Sequence, residues 1–199
     1  MNEQGSDAWL KERAGLATSS EFHKILMGKS TATRRDYMAT LVAERLTGEP
    51  AETYTNAAMD WGTLYEPEAR EVYKAITGNS VLEVGLVKHS NLEAGASPDG
   101  LVDRDGLVEI KCPKTATMIS YIIDGKAPKQ YLPQMQGQMW ITGRKWCDFV
   151  SYDPRLDPKN AYFCVRVERD DEYIANLEKE VTAFLVEVDE LVTKLKERK

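Results

Sequence analysis

The first third of the chain places its apolar residues at the three-to-four-residue spacing of amphipathic helices. This pattern predicts a short helix after a polar start within residues 6–27, a second helix over 35–47 and a third over about 56–77. Gly48 and Gly78 follow the second and third helices, and a glycine in that place favours a helix end.

The middle of the chain changes to short apolar runs rich in β-branched residues, which are typical of strands. Five such runs lie within residues 81–111, and two longer runs follow at 146–152 and 162–168. Helical spacing returns in three segments, the last of them long and amphipathic: residues 115–124, 130–142 and about 171–196. This order, without repeats or a linker, predicts one α/β domain over residues 1–199, with a central mixed β-sheet flanked by helices.

The composition indicates a folded globular protein, since 42% of the 199 residues are apolar and 29% are charged. No apolar run approaches the ~18 residues that span a bilayer, and the first residues lack the basic and apolar parts of a secretory signal. We therefore expect a cytoplasmic protein with no membrane partner. Its three cysteines lack C-x-x-C spacing, which counts against a disulfide framework or a zinc finger.

The net charge of −6 counts against a protein that coats nucleic acid without specificity. It is compatible with a nuclease, because a local basic groove can bind DNA while acidic residues lie elsewhere. The charge is indeed uneven, since the acidic residues concentrate in the last helix. One group of basic residues, Lys111, Lys114, Lys126 and Lys129, lies close to the segment with the clearest chemistry.

That segment holds an aspartate after a proline and, further on, a Glu-x-Lys triplet. The Asp-Gly pair at 105–106 predicts a tight hairpin turn between two strands, because this pair tolerates positive φ. The hairpin brings Asp99 beside Glu109. Because side chains alternate along a strand, Glu109 and Lys111 point to one side while Ile110 points into the core.

Two carboxylates and an ammonium on one face suit a divalent-metal site that hydrolyses phosphodiesters. We expect Asp99 and Glu109 to be the ligands, with the carbonyl of Ile110 as a third. Lys111 would orient or deprotonate the attacking water and offset negative charge at the phosphate. The competing structural interpretation is an ordinary turn followed by a solvated Glu-Lys pair.

Two further elements carry candidate polar groups. Glu66 lies on a mostly apolar helix, where it is either an inward metal ligand or the partner of Arg70 four residues on. Gln134 and Gln138 share one face of a later helix, and an inward amide there would position water or phosphate.

Together these elements resemble the PD-(D/E)xK nuclease superfamily, with its restriction-endonuclease-like core. The chain is more closely similar to the phage lambda exonuclease type of alkaline recombination exonuclease. The matching segments run in order from about residue 7 to 175: Asp7-Ala8-Trp9 with Arg13, 17–21, Trp61-Gly62 with Tyr65-Glu66, 97–101, 109–113, Gln134-Met135-Gln136 with Met139-Trp140, 152–155 and 167–170.

The resemblance implies a Mg²⁺-dependent 5′→3′ exonuclease, with Mn²⁺ able to substitute and two metal ions in the site. Its substrate would be linear double-stranded DNA, degraded to 5′-mononucleotides with a 3′ single strand left behind. The resemblance also implies a homotrimer ring around DNA and a single-strand annealing protein as partner. The setting would be a bacterial host cell, with the protein of phage or prophage origin.

The resemblance assigns roles to residues that the spacing alone leaves open. Arg13 and Ser20 fall where the family holds the DNA 5′-phosphate, and Met59 falls where a wedge separates the strands. Without the family, Arg13 is a surface arginine, Ser20 a helix cap and Met59 a core residue. The catalytic positions of the family fall on five residues: Glu66, Asp99, Glu109, Lys111 and Gln134.

Two other functions share the same scaffold. One is a PD-(D/E)xK endonuclease or single-strand-specific nuclease, which would not depend on a free duplex end. The other is a catalytically inactive DNA-end-binding protein. Intact Asp99, Glu109 and Lys111 count against the inactive protein, since a decayed site is expected to lose at least one of them.

Overall fold

The structure, a computed structural model, describes residues 2–51 and 57–198, apart from the side chain of residue 58. The helices in these ranges are α1 (Asp7–Arg13), α2 (Phe22–Ile25), α3 (Ala32–Thr47), α4 (Ala57–Thr77), α5 (Thr115–Asp124), α6 (Leu132–Thr142) and α7 (Asp171–Lys196). Short 3₁₀ turns cover Ser19–Glu21 and Lys129–Tyr131. The strands are β1 (Ala17–Thr18), β2 (Val81–Leu82), β3 (Val87–Lys88), β4 (Ala94–Ala96), β5 (Gly100–Val102), β6 (Gly106–Lys111), β7 (Trp146–Tyr152) and β8 (Tyr162–Glu168).

The main sheet has five strands in the order β2-β5-β6-β7-β8. Strands β6 and β7 are parallel, while the other neighbouring pairs are antiparallel. The prediction of a central mixed sheet flanked by helices is therefore confirmed. Strands β3 and β4 lie in the predicted strand runs within residues 81–111, but they form a second, small sheet, β1-β4-β3, whose separation from the main sheet was not predicted. The two-residue strand β1 was also not predicted.

Strand β6 lies at the centre of the main sheet and separates two parts of the core. Val108 and Ile110 pack on one face, in a cluster that includes Ala69 and Tyr73 of α4. Leu107 packs on the other face with residues of α6 and β7. The alternation of side chains along β6 therefore directs Glu109 and Lys111 toward α6.

The long helix α7 packs against α3 through an apolar stripe that includes Leu177, Val181 and Phe184. Its acidic face contributes to the same contact, because Glu187 accepts hydrogen bonds from buried Arg34 at 2.9 and 3.1 Å. Part of the acidic surface of this helix is thus neutralised within the chain. Among the described helices, none is both long and apolar enough to cross a membrane.

The β5–β6 hairpin forms as predicted, but its turn differs. Positive φ occurs at Asp103 (44°), whereas Gly106 is already the first residue of β6 and has no positive φ. The expected positive φ at residues 105–106 is therefore wrong. Gly106 serves a close approach instead, since a Cβ there would lie 2.1 Å from the ring of Trp146.

Candidate active site

The hairpin brings Asp99 against the strand that carries the Glu-x-Lys triplet. One carboxylate oxygen of Asp99, Oδ2, accepts the backbone N–H of Ile110 at 2.6 Å. Arg70 of α4 donates from Nε to the backbone carbonyl of Asp99 at 3.0 Å, so the aspartate is held from two elements. Both Asp99 and Arg70 are buried.

Glu109 is fully buried, and both of its carboxylate oxygens accept hydrogen bonds. Gln134 donates to Oε1 at 2.7 Å and Gln138 donates to Oε2 at 2.6 Å. The ammonium of Lys111 also donates to Oε1. The predicted shared face of Glu109 and Lys111 is therefore present, and a solvated Glu-Lys pair does not describe it.

The structure shows the Arg70 pairing of Glu66, and the metal-ligand interpretation of Glu66 stays a prediction. Glu66 forms an ion pair with Arg70 one helical turn further on. It also lines a cavity of about 470 Å³ together with Ile110 and Lys111. The side chain of Ile110 belongs to the core, as predicted.

Burial and mutual repulsion perturb the carboxyl groups of this site. Burial raises the pKa of Asp99 well above its ordinary value, and the charges of Glu109 and Glu66 raise it further. Burial also raises the pKa of Glu66, although Arg70 opposes the shift. A bound cation would offset burial and mutual repulsion and would favour the ionised form of both carboxyls.

In Lys111, burial and the neighbouring charges shift the pKa in opposite directions. Burial by itself would lower its pKa, but the charges of Glu109 and Asp99 outweigh burial and raise the pKa of Lys111 above its ordinary value. The side chain is therefore an ammonium ion at neutral pH. This state suits contact with a phosphate oxygen better than removal of a proton from water.

The donor set fits a hard divalent cation, because it consists of the carboxylates of Asp99, Glu109 and Glu66 with the backbone of Ile110 alongside. Within the described residues, no three His, Cys, Asp or Glu side chains converge into a ready-made cage. Mg²⁺ does not require such a cage, since it is usually held by one or two carboxylates together with water and substrate phosphates.

Arg13 and Ser20 lie together in a second cluster, joined by a residue that the sequence did not single out. Arg13 donates to the hydroxyl of Thr18 at 2.9 Å, and that hydroxyl lies 3.4 Å from the hydroxyl of Ser20. Burial lowers the pKa of Arg13, although Tyr37 and nearby carboxylates oppose the shift. No carboxylate of the described residues forms an ion pair with Arg13. N–H groups of its guanidinium are therefore available to bind an anion.

Two connections tie this cluster to the carboxylate site. Trp9, which lies under the Arg13 guanidinium at 4.4 Å, donates to the hydroxyl of Ser97 at 3.1 Å. Strand β1 pairs with β4, which leads directly into Ser97 and Asp99. The two clusters are therefore held in one arrangement by backbone pairing as well as by side chains.

Met59 lies on α4 and lines the same cavity as Glu66 and Lys111. Its side chain is 51% exposed, so the alternative assignment of Met59 to the core is wrong. The wedge role of Met59 stays a prediction.

Sequence reasoning identified the contacts of three further residues that shape these clusters only in part. The four-residue spacing from Gln134 placed Gln138 on the correct helix face, but it did not predict the bond of Gln138 to Glu109. Thr18 lies in the chain between Arg13 and Ser20, the two expected phosphate contacts, and this position alone only weakly indicated that it joins them. Arg70 was considered as a partner of Glu66 alone, and its bond to Asp99 depends on tertiary structure.

The mixed sheet, the hairpin and the Asp99, Glu109 and Lys111 cluster define a nuclease core of the PD-(D/E)xK class. Residues 8–145 match the YqaJ-like viral recombinase domain, and the chain belongs to this family. Membership supports a nuclease of phage-type recombination as the class of function. The resemblance to the alkaline recombination exonucleases is thereby confirmed.

Solved structures show the same relationship. An alkaline exonuclease, LHK-Exo from Laribacter hongkongensis, is 48% identical over 96% of each chain, with a TM-score of 0.91. The same figures apply to its structure in complex with dAMP. A phage-related exonuclease from Haemophilus somnus 129PT, 20% identical with a TM-score of 0.74, covers 90% of this chain and 96% of its own, and shows likeness of fold only.

A shorter relative matches part of the chain. The uncharacterized protein ExoD of Escherichia coli (strain K12) is 31% identical over 65 residues, which are 33% of this chain and 74% of that protein.

Proposed function

We propose that the protein is a Mg²⁺-dependent 5′→3′ exonuclease on linear double-stranded DNA. It would release 5′-mononucleotides and leave 3′ single-stranded overhangs for recombination by single-strand annealing. The observation that carries the proposal is the Asp99, Glu109 and Lys111 cluster, at the edge of a cavity, in a fold shared across 96% of an alkaline exonuclease.

The chain's own residues divide the work of hydrolysis. Asp99, Glu109, Glu66 and the carbonyl of Ile110 would hold two Mg²⁺ ions, or Mn²⁺ in their place. The metal would supply a hydroxide nucleophile and neutralise charge at the phosphorus. Lys111, as an ammonium ion, offsets charge on the phosphate.

Gln134 has a separate role in this proposal. Its amide fixes one oxygen of Glu109 at 2.7 Å, which leaves the carboxylate in one orientation when substrate binds. We expect the amide also to orient water or a phosphate oxygen, because Gln134 is only partly buried.

The polarity of the reaction would come from the second cluster. A guanidinium offers paired donors to phosphate oxygens, and the hydroxyls of Thr18 and Ser20 add further donors beside Arg13. A 5′-phosphate held there would place the first phosphodiester at the carboxylates.

Met59, exposed at the cavity, would separate the two strands. The dAMP complex of LHK-Exo supports a site for a nucleoside monophosphate.

The assembly is also part of the proposal. By resemblance, three copies would form a ring around double-stranded DNA and hand the 3′ strand to a single-strand annealing protein. The cellular setting would be the cytoplasm of a bacterial host, with the protein derived from a phage or prophage.

Digestion of linear duplexes labelled separately at each 5′ and each 3′ end tests polarity and metal dependence together. We expect Mg²⁺-dependent release of the 5′ label as a mononucleotide, retention of the 3′ label on long products, and no digestion in EDTA. Activity with Mn²⁺ is expected as well. Early release of the 3′ label, or undiminished activity in EDTA, would contradict the proposal.

A closed circular duplex separates the exonuclease from the endonuclease alternative. We expect the circle to resist digestion under conditions that degrade its linear form. Nicking of the circle at the rate of the linear form would favour an endonuclease. The inactive end-binding alternative predicts that Asp99→Ala changes nothing, whereas we expect this variant to lose digestion and retain DNA binding.

A further inference from the structure

A second cleft, of about 230 Å³, adjoins the active-site cavity. The two cavities share Cys112 and Pro113 as lining residues. The remaining polar side chains of the second cleft come from Trp61 of α4, from Lys114 and from Arg155. None of these three has a role in the chemistry described above. We refer to this space as the Trp61–Arg155 cleft.

Arg155 is fixed in the wall of the cleft. Its Nε and Nη2 donate to the two carboxylate oxygens of Asp153 at 2.7 and 2.9 Å, and Nη2 also approaches the carbonyl of Pro113 at 3.3 Å. The central carbon of the guanidinium lies over the ring of Trp61, 4.1 Å from its centroid. The side chain is nevertheless 46% exposed, and its Nη1 donates to no described residue.

Asp153 is turned away from the cleft. It is fully buried and does not line the space, and Thr115 donates to its Oδ2 at 2.7 Å. Its carboxylate is therefore occupied by Arg155 and Thr115, and it presents no acceptor to a ligand. It serves to hold the guanidinium in place.

The other polar groups of the cleft are also donors. The indole N–H of Trp61 is buried and has no acceptor within the described residues. Lys114 is exposed, and no carboxylate in the described part of the chain forms an ion pair with it. Nη1 of Arg155 and the ammonium of Lys114 thus offer N–H groups that no described acceptor occupies, and the Trp61 N–H is a further unpaired donor in the wall of the cleft. Donors without an acceptor are the requirement for an anion.

We infer that the Trp61–Arg155 cleft binds a phosphate of the DNA strand next to the one that is cleaved. This inference rests on the proposed function, because the neighbouring cavity is then the site of the scissile phosphate. Two cavities with a common wall suit successive nucleotides of one strand. Arg155 Nη1, Lys114 and the Trp61 N–H bind the phosphate, and Pro113 offers apolar surface to the adjoining sugar or base.

Binding by a cleavage-silent protein tests the inference without relying on catalysis. In the Asp99→Asn background, fluorescence anisotropy with a 3′-labelled single-stranded oligonucleotide gives the Kd over a range of salt. Trp61→Phe keeps the ring and removes only the N–H donor, and Lys114→Ala removes one exposed charge. Lys179→Ala, which removes an exposed lysine of α7 that lines neither cavity, is the matched control.

We expect Trp61→Phe to raise the Kd about tenfold, since a hydrogen bond to a charged group is worth about 1.5 kcal/mol or more. Lys114→Ala should raise the Kd several-fold and reduce the salt slope by about 0.7, as one lost phosphate contact on a single strand does. Lys179→Ala should leave both unchanged. Equal effects of Lys114→Ala and Lys179→Ala, or an unchanged Kd for Trp61→Phe, would overturn the inference.

A second arm distinguishes a strand phosphate from a free one, with inorganic phosphate and dAMP as competitors. If the cleft variants weaken dAMP binding but not oligonucleotide binding, the cleft binds a free nucleotide and the strand assignment is wrong. Thermal unfolding of each variant verifies that it is folded. Failure of the polarity experiment would contradict the exonuclease proposal and leave these Kd values interpretable.

Discussion

Glu109 receives a hydrogen bond on each carboxylate oxygen from amides one turn apart on α6. Gln134 is partly buried, whereas Gln138 is fully buried and its own Oε1 has no donor within the described residues. A buried amide in this position can act only through Glu109 or through a water bound beside it. We therefore regard Gln138 as a positioning residue for the carboxylate.

Gln138→Leu is expected to lower kcat about 10- to 100-fold with little change in KM, because loss of a group that orients a metal-binding carboxylate has effects of this size. The concentration of Mg²⁺ needed for half-maximal activity should rise as well. Steady-state kinetics over a Mg²⁺ series measures both. Gln136→Leu is the matched control, since that buried glutamine bonds to the backbone of Glu168 and Asp170 instead. Equal kinetic losses in the two variants would indicate a packing effect only.

Asp99 illustrates a conflict between stability and function. Because burial and neighbouring carboxylates raise its folded pKa, the ionised side chain destabilises the fold at any pH above the ordinary aspartate pKa of about 3.9. The penalty grows as the pH rises toward the folded pKa and then stays constant. It disappears below pH ~4, where the carboxyl is protonated in both the folded and the unfolded chain.

Asp99→Asn should therefore abolish digestion and raise Tm at neutral pH. An increase of several degrees is expected, because ~1 kcal/mol shifts Tm by about 2–4 °C in a chain of this size. The difference in Tm should vanish near pH 4. Mg²⁺ should raise the Tm of the wild-type protein and not of the variant. A wild-type Tm that does not respond to Mg²⁺ would contradict the metal site.

The proposed role of Arg13 in binding the 5′-phosphate can be separated from catalysis by the choice of substrate. Arg13→Ala should slow digestion of 5′-phosphorylated duplexes more than tenfold and have a smaller effect on 5′-hydroxyl duplexes, because only the former lose a charge-assisted contact. Initial rates on the two otherwise identical substrates provide the comparison. An equal loss on both would remove the phosphate role of Arg13.

At the level of elements, α6 is the structural connection between the two clusters. It carries Gln134 and Gln138, and it packs against the turn that carries Ser20. This packing is close at Gly137, where a Cβ would lie 2.5 Å from the ring of Phe22. Glycine at this place is needed for the approach of the two elements, although it is a poor helix former.

Gly137→Ala is expected to destabilise the protein by about 1–3 kcal/mol, because the added methyl overlaps the buried Phe22 ring. Denaturant unfolding measures the free energy of unfolding. Gly62→Ala is the matched control, since a Cβ at that helical glycine has no atom within 4 Å and should be neutral or slightly stabilising. Equal effects at both positions would show that the Gly137 contact is not tight.

The elements differ in how far the sequence predicted them. Strands β7 and β8 and helices α5 and α7 have the bounds that periodicity gave, since each is long enough to repeat its pattern. Strand β1 was missed because it consists of only two residues, Ala17 and Thr18. Its partner β4 lies more than 70 residues further along the chain, at Ala94 and Gly95. Helix α1 was not predicted, because its seven residues lie in the polar start of the chain and are too few to show a helical periodicity.

For the whole molecule, the proposed ring is the property most in need of a direct measurement. Sedimentation equilibrium should give three times the mass of one chain, at a concentration at which linear DNA is digested processively. A monomer that digests long duplexes processively would contradict the ring. This outcome would leave the carboxylate site and the Trp61–Arg155 cleft unaffected, since both lie within one chain.

The sequence by itself determined the class of fold and which residues meet in the main site. Asp99, Glu109 and Lys111 follow from local patterns, because strand alternation and a hairpin turn act over a few residues. Only the tertiary structure decided which groups surround Glu109, how Arg70 reaches Asp99, and that Trp61, Lys114 and Arg155 line one cleft. These contacts join residues distant along the chain, and packing rather than local pattern determines such contacts.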